Sequence, residues 1–166
     1  MFSSLGLSSI PGVQTPNYVA TYLLVNWALA YIFMSPRGAK IYYGVDNNVS
    51  PREDLRTLGE AAVRTGRLEQ RVLDKLKREE AAQANTIEGF SLFVASILSA
   101  SFAGVPAETV NTIGIWYTVS RVAFSLCYSH IQTQSWSYLR SAAWWSSHIC
   151  CATGLVLAAR CCNQSE

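Results

Sequence analysis

Charge is what most of this chain lacks. Only 14% of its 166 residues are charged, while 50% are hydrophobic; soluble domains carry about a quarter charged residues. The scarcity is uneven. Ten of the 13 Lys and Arg residues lie between Arg37 and Arg78, and only Arg121, Arg140 and Arg160 lie outside. A water-soluble domain scatters its ions over its whole surface, so this distribution argues for a lipid surrounding. The soluble alternative is a four-helix bundle with a very apolar core. It fails at residues 142–145 and 149–159, which have no polar face of the kind a bundle helix needs.

Other absences narrow the function. There are two histidines, His130 and His148, with no paired ligand motif, so no metal site is expected. The five cysteines include no CxxC. Cys127 and the adjacent pairs Cys150-Cys151 and Cys161-Cys162 read as small packing residues, with S-acylation of Cys161 or Cys162 as an alternative. The first 17 residues hold no charged side chain, so the basic n-region of a cleaved signal is missing and the first span is expected to act as an uncleaved anchor. The basic block is matched by eight carboxylates, six within it from Asp46 to Asp74 and Glu79 and Glu80 just after it. It is mixed rather than a phosphate-tracking stripe, and no nucleic-acid partner is expected.

What is present is a set of four apolar stretches. A membrane-crossing helix needs roughly 20 apolar residues, and four spans are predicted at about residues 18–34, 81–103, 108–128 and 138–159. The whole chain, 1–166, then forms one all-α integral membrane domain. Lys and Arg stay on the cytosolic side, which puts the segment 35–80 in the cytosol and both termini opposite, in the endoplasmic reticulum lumen. The Ser35-Pro36 step ends the first helix, and residues 40–52 read as a turn-rich stretch. Beyond them Leu55, Leu58, Ala62, Leu68, Val72 and Leu76 fall on one stripe, broken at Gly66. An amphipathic segment is expected there, followed by a helix that runs straight into the second span. His130, Gln132, Gln134 and Trp136 lie in the connection between the last two spans.

A few polar residues sit where hydrocarbon is expected. Gln83, Asn85 and Glu88 fall near the cytosolic start of the second span. A bare carboxylate at that depth is costly. Arg121 lies at a comparable depth, seven residues before Tyr128 and so roughly 10 Å along its helix. A buried Glu88–Arg121 ion pair is therefore expected. Arg140 stands at the cytosolic entrance of the fourth span, where it snorkels to lipid phosphate or steadies an anion.

The run from Glu80 to Phe93, EAAQANTIEGFSLF, resembles the signature of the MAPEG family, the membrane-associated proteins in eicosanoid and glutathione metabolism. The family pattern is roughly R-A-H-x-N-x-x-E-x-x-P-x-F, and Asn85, Glu88 and Phe93 match it. Arg121 with Tyr128 resembles the R-x6-Y of the family's third helix, and Leu139-Arg140-Ser141 resembles the segment opening its fourth. The stretches 46–52 and 137–140 resemble the fungal branch in particular. The resemblance implies a left-handed four-helix bundle assembled as a homotrimer, in the endoplasmic reticulum or a related membrane. It also implies an intersubunit site for glutathione near the cytosolic face. Its implied catalytic residues are Arg140, which activates the thiol, with Ser141 and Tyr128 as hydrogen-bond donors. Asn85 and Glu88, with Arg37 as a weaker match, are the implied cofactor-binding residues; Gln83 and Arg121 are further candidates, and Arg78, or the adjacent Lys77, is the candidate to replace the arginine missing at Ala81. Three positions depart from the pattern: Ala81 replaces its first arginine, Gln83 its histidine and Ser91 its proline.

Three functions remain open at this level. The first is a glutathione-dependent transferase, peroxidase or isomerase acting on a lipophilic substrate that enters from membrane lipid. The second is a glutathione-independent isomerase or cyclase of fungal secondary metabolism, in which Arg140, His130, Tyr128 and Glu88 line an apolar cleft. The third is a non-catalytic membrane partner.

Overall fold

The structure, a computed structural model, describes residues 15–130 and 134–164. Those residues form helices and turns, with no strand among them. The first helix, α1 (Val19–Ala28), starts where the Asn17 side chain accepts a hydrogen bond from the Val19 backbone N–H at 2.9 Å. It continues as a π-helical turn, Leu29–Phe33, in which the Met34 N–H reaches back five residues to the Leu29 carbonyl. The chain breaks at Ser35-Pro36, as expected. It then resumes as a short helix, α2 (Arg37–Tyr42), whose last three residues fall in the stretch expected to be turns. Pro36 supplies the reason: it has no N–H to leave unsatisfied, and its fixed φ suits a helix start.

The segment after α2 folds through a second π-helical turn, Leu55–Gly59, into α3 (Glu60–Arg64). Gly66, at φ +74°, takes the left-handed turn that ends α3. The expected stripe is real. Leu55, Ala62, Leu68 and Leu76 are buried together with Val45 and Leu73, and Val72 packs against them. Leu58 is the exception and lies exposed.

α4 (Gln70–Phe102) then runs for 33 residues without a break, roughly 50 Å at the α-helical rise. α5 (Ala107–His130) follows a four-residue connection, and α6 (Gln134–Gln164) completes the chain. α4, α5 and α6 pack on one another, and α1 packs on α5 and α4. Their shared core centres on Phe93, Ile97, Val110, Tyr117 and Cys151. The rings of Phe93 and Tyr117 stack 4.0 Å apart, 8° from parallel. Cys150 packs at the edge of this core beside the fully buried Cys151, which agrees with a packing role for that pair.

Polar side chains stitch the helices together, as they do where apolar contact alone gives little driving force. The Asn26 amide donates to Thr118 Oγ1 on α5 at 2.8 Å. Ser96 donates to the Cys151 carbonyl at 2.7 Å, joining α4 to α6. The Trp116 indole donates to Ser146 Oγ at 2.9 Å, joining α5 to α6. Outward-facing residues include Leu24, Ile32, Phe33, Val119 and Ile149, an apolar exterior suited to lipid. Among the described residues two helical stretches are long and apolar enough to cross a membrane alone, Val19–Tyr42 and Tyr138–Gln164, with mean hydropathies of 1.4 and 1.3.

Candidate functional site

Three helices deliver side chains to one cleft of about 290 Å³. α4 supplies Asn85, α5 supplies Phe124 and Tyr128, and α6 supplies Arg140, Ser141, Trp144 and Trp145. The spacings follow helical geometry: Phe124 and Tyr128 are four apart, as are Arg140 and Trp144, so each pair stacks on one face. The Arg140 guanidinium lies over the Tyr128 ring, 4.5 Å from its centre. Such a contact orients a cation without neutralising it. Among the described residues no carboxylate pairs with Arg140. The cleft therefore presents a positive charge, two hydroxyl groups and an amide against aromatic walls. That chemistry suits an anion or a polarisable thiolate joined to an apolar group.

Arg121 departs from expectation. Its guanidinium is buried, at 2% exposure, and Nη1 donates to Asn85 Oδ1 at 3.1 Å. The predicted ion pair with Glu88 is not formed, because Glu88 faces outward and is exposed. Helix geometry explains the difference. Asn85 and Gly89 are one turn apart and share the face turned to α5, while Glu88 is rotated about 100° from Gly89. The guanidinium rests on the bare backbone at Gly89, where any Cβ would collide with it. It also lies over the rings of Tyr117 and Phe124, 5.3 and 5.8 Å from their centres.

The remaining sequence candidates scatter. Arg37 and Gln83 line a second pocket of about 200 Å³, together with Lys40, Asp46, Arg52, Asp54 and Glu80. Arg37 donates to Asn48 Oδ1 at 2.7 Å, and the Gln83 amide donates to the Ala30 carbonyl at 3.4 Å. Arg78 lines neither space, and its Nε is buried without a partner. The cleft thus gathers Asn85, Tyr128, Arg140 and Ser141, the second pocket gathers Arg37 and Gln83, and Arg121, Glu88 and Arg78 stand apart. The side chains of His130, Gln132, Gln134 and Trp136 lie outside the described part of the chain.

Sequence reasoning missed two features. One is the Trp144 wall of the cleft, whose signal was its place one turn after Arg140. The other is the buried Lys40, whose ammonium reaches Asp54 Oδ1 at 2.9 Å and Glu80 Oε1 at 2.5 Å. No periodicity announces that contact, since the partners lie 14 and 40 positions away.

The chain matches the model of the MAPEG family over residues 16–160, nearly its whole length. It belongs to the MAPEG family. This is a family of membrane proteins of the glutathione-related transferase and isomerase type. No curated protein matches the chain, and no solved structure does. The all-helical bundle and the two apolar helical stretches agree with the family assignment, so this MAPEG chain is a membrane protein.

Proposed function

We propose that this MAPEG chain is a glutathione-dependent transferase or isomerase acting on a lipophilic electrophile, with the Arg140 cleft as its reacting end. The observation that carries this reading is the meeting of Asn85, Tyr128, Arg140 and Ser141 around a guanidinium with no carboxylate partner among the described residues. The donor set fits the thiol end of glutathione. Bound glutathione would supply a nucleophilic sulfur. Arg140 would favour the thiolate over the thiol, because a nearby cation shifts a titrating group toward its charged form. Tyr128 and Ser141 would each donate a hydrogen bond to developing negative charge, and Asn85 would hold a peptide group. Trp144, Trp145 and Phe124 would exclude water and receive the apolar substrate.

The cleft is open on one side, where Ser141 is exposed and Trp145 is 60% exposed. That opening would admit a second copy of the chain, so the site would lie between subunits of a homotrimer, with Arg37 and its pocket serving a neighbour's cleft. The charge asymmetry supports four membrane spans with residues 35–80 in the cytosol, and an endoplasmic reticulum address. A second reading, a glutathione-independent isomerase or cyclase, is favoured by one observation. Ala81, at the place of the family pattern's first arginine, is exposed and offers no cation, so one carboxylate clamp is missing. Calorimetric titration of the detergent-solubilised protein separates the two. Heat and thermal protection at millimolar glutathione, lost in Arg140→Ala, supports the first; neither effect in the unmodified protein removes it.

A further inference from the structure

A third space shares no residue with the Arg140 cleft or the Arg37 pocket. It measures about 100 Å³ and lies between the first helix and α5. Leu29 and Met34 wall it on one side, Val122 and Leu126 on the other, Thr86 of α4 contributes to the lining, and Arg121 and Ser125 bring further polar atoms. Leu29 opens the π-helical turn of the first helix, a local widening that recurs at functional positions.

Arg121 is the anomaly. It is 2% exposed, and although Nη1 is bonded to Asn85, both Nε and Nη2 lack a partner in hydrogen-bond geometry; the Tyr117 hydroxyl interacts with the guanidinium but is itself left unsatisfied and carries no charge to offset it. A guanidinium does not deprotonate in a protein, so this is a permanent buried charge. Among the described residues no ion pair includes it, and Glu88 is turned away. A buried cation needs a counter-charge, and here the two free donors and a cavity occur together.

The occupant follows from the walls. The cavity is far larger than a monatomic ion, and its lining is apolar apart from Thr86, Arg121 and Ser125; the Thr86 hydroxyl is already committed to the Ala82 carbonyl at 2.8 Å. Its α5 rim faces outward, with Val122 40% and Leu126 57% exposed. A soluble polar anion gains nothing from such walls; an acyl chain does. We propose that this space binds the carboxylate of a single-chain amphiphile drawn from the bilayer. The two free guanidinium donors hold the head, and the chain leaves between Val122 and Leu126. The site is separate from the reacting cleft and stands whether or not the chain uses glutathione.

The probe is oleate labelled with ¹³C at its carboxyl carbon, titrated into the detergent-solubilised protein. The carboxyl resonance should shift saturably with one oleate per chain, and the melting temperature should rise; methyl oleate should do neither. Arg121→Gln should weaken oleate at least tenfold. Ser125→Phe, which fills the cavity and leaves Arg121 in place, should abolish binding while circular dichroism stays helical. The proposal is overturned if methyl oleate binds as well as oleate, or if both variants bind oleate unchanged. It also falls if acetate or chloride protects as well as oleate, which would make this a small-anion site, or if glutathione displaces the oleate.

Discussion

The Lys40 ammonium lies 2.9 Å from the Asp54 carboxylate, and the two side chains are 6% and 0% exposed. Lys40 also donates to the Pro51 carbonyl at 3.3 Å, and Glu80 closes the cluster from α4. One side chain thus ties α2, the turn before α3 and the early part of α4. Removing one member of a buried pair leaves the other charge uncompensated, which costs about 3 to 5 kcal/mol. Lys40→Met should lower the thermal midpoint of the detergent-solubilised protein accordingly. Adding Asp54→Leu should restore part of the loss, because the stranded carboxylate goes with it.

Gly89 is a steric prediction. Arg121 occupies the space where its Cβ would stand, and Arg121 is packed between α4 and α5. Gly89→Ala should push the guanidinium aside, break its bond to Asn85 and destabilise the bundle by about 1 to 3 kcal/mol. Glu88→Ala, one residue away on an exposed face, should change stability by less than about 0.5 kcal/mol. Chemical unfolding monitored by circular dichroism checks both. Equal losses would mean that Glu88 and not Asn85 is Arg121's anchor.

Arg140 and Tyr128 can be separated. With glutathione and a chlorodinitrobenzene substrate, Arg140→Ala should reduce kcat/KM by about 10² to 10³, the scale of one lost anion-stabilising donor. Arg140→Lys should recover little, since a lysine lacks the planar group lying over the ring. Tyr128→Phe keeps the ring under the guanidinium and loses only the hydroxyl, so it should lose less than Tyr128→Leu, which loses both.

Asn26 sits in the middle of an apolar helix and donates to Thr118 at 2.8 Å. Hydrogen bonds between helices in lipid contribute about 0.6 kcal/mol on average, with about 1.7 at the upper end. Asn26→Leu should therefore cost little, with retained expression and a small drop in melting temperature. A collapse of folding would instead assign Asn26 a larger structural part than its two hydrogen bonds imply.

The fold was legible in the sequence where the signal was long and periodic. The apolar stretches became α1, α4, α5 and α6, and the stripe through Leu55, Ala62, Leu68 and Leu76 packed on one side of the segment that precedes α4. The cleft was legible in part, because Asn85, Tyr128, Arg140 and Ser141 each lay at a matched family position. What failed was azimuth. Sequence spacing places Asn85 and Glu88 on roughly one face, yet a turn of about 60° between them decides which one meets Arg121. The missing information was Gly89, whose bare backbone gives the guanidinium its seat. The Lys40 contact was illegible for another reason: it depends on how three non-adjacent segments fold back, which no local pattern encodes.

The unbroken course of α4 from Gln70 to Phe102 has a mechanical meaning. Its first eleven residues carry Leu73, Leu76 and Glu80, which hold the folded segment that precedes α4, and Asn85 follows little more than one turn later. With no hinge between them, the outer knob and the inner wall of the cleft form one lever. Anything that grips residues 45–68, a second protein or a lipid surface, would twist the amide of Asn85 along with it.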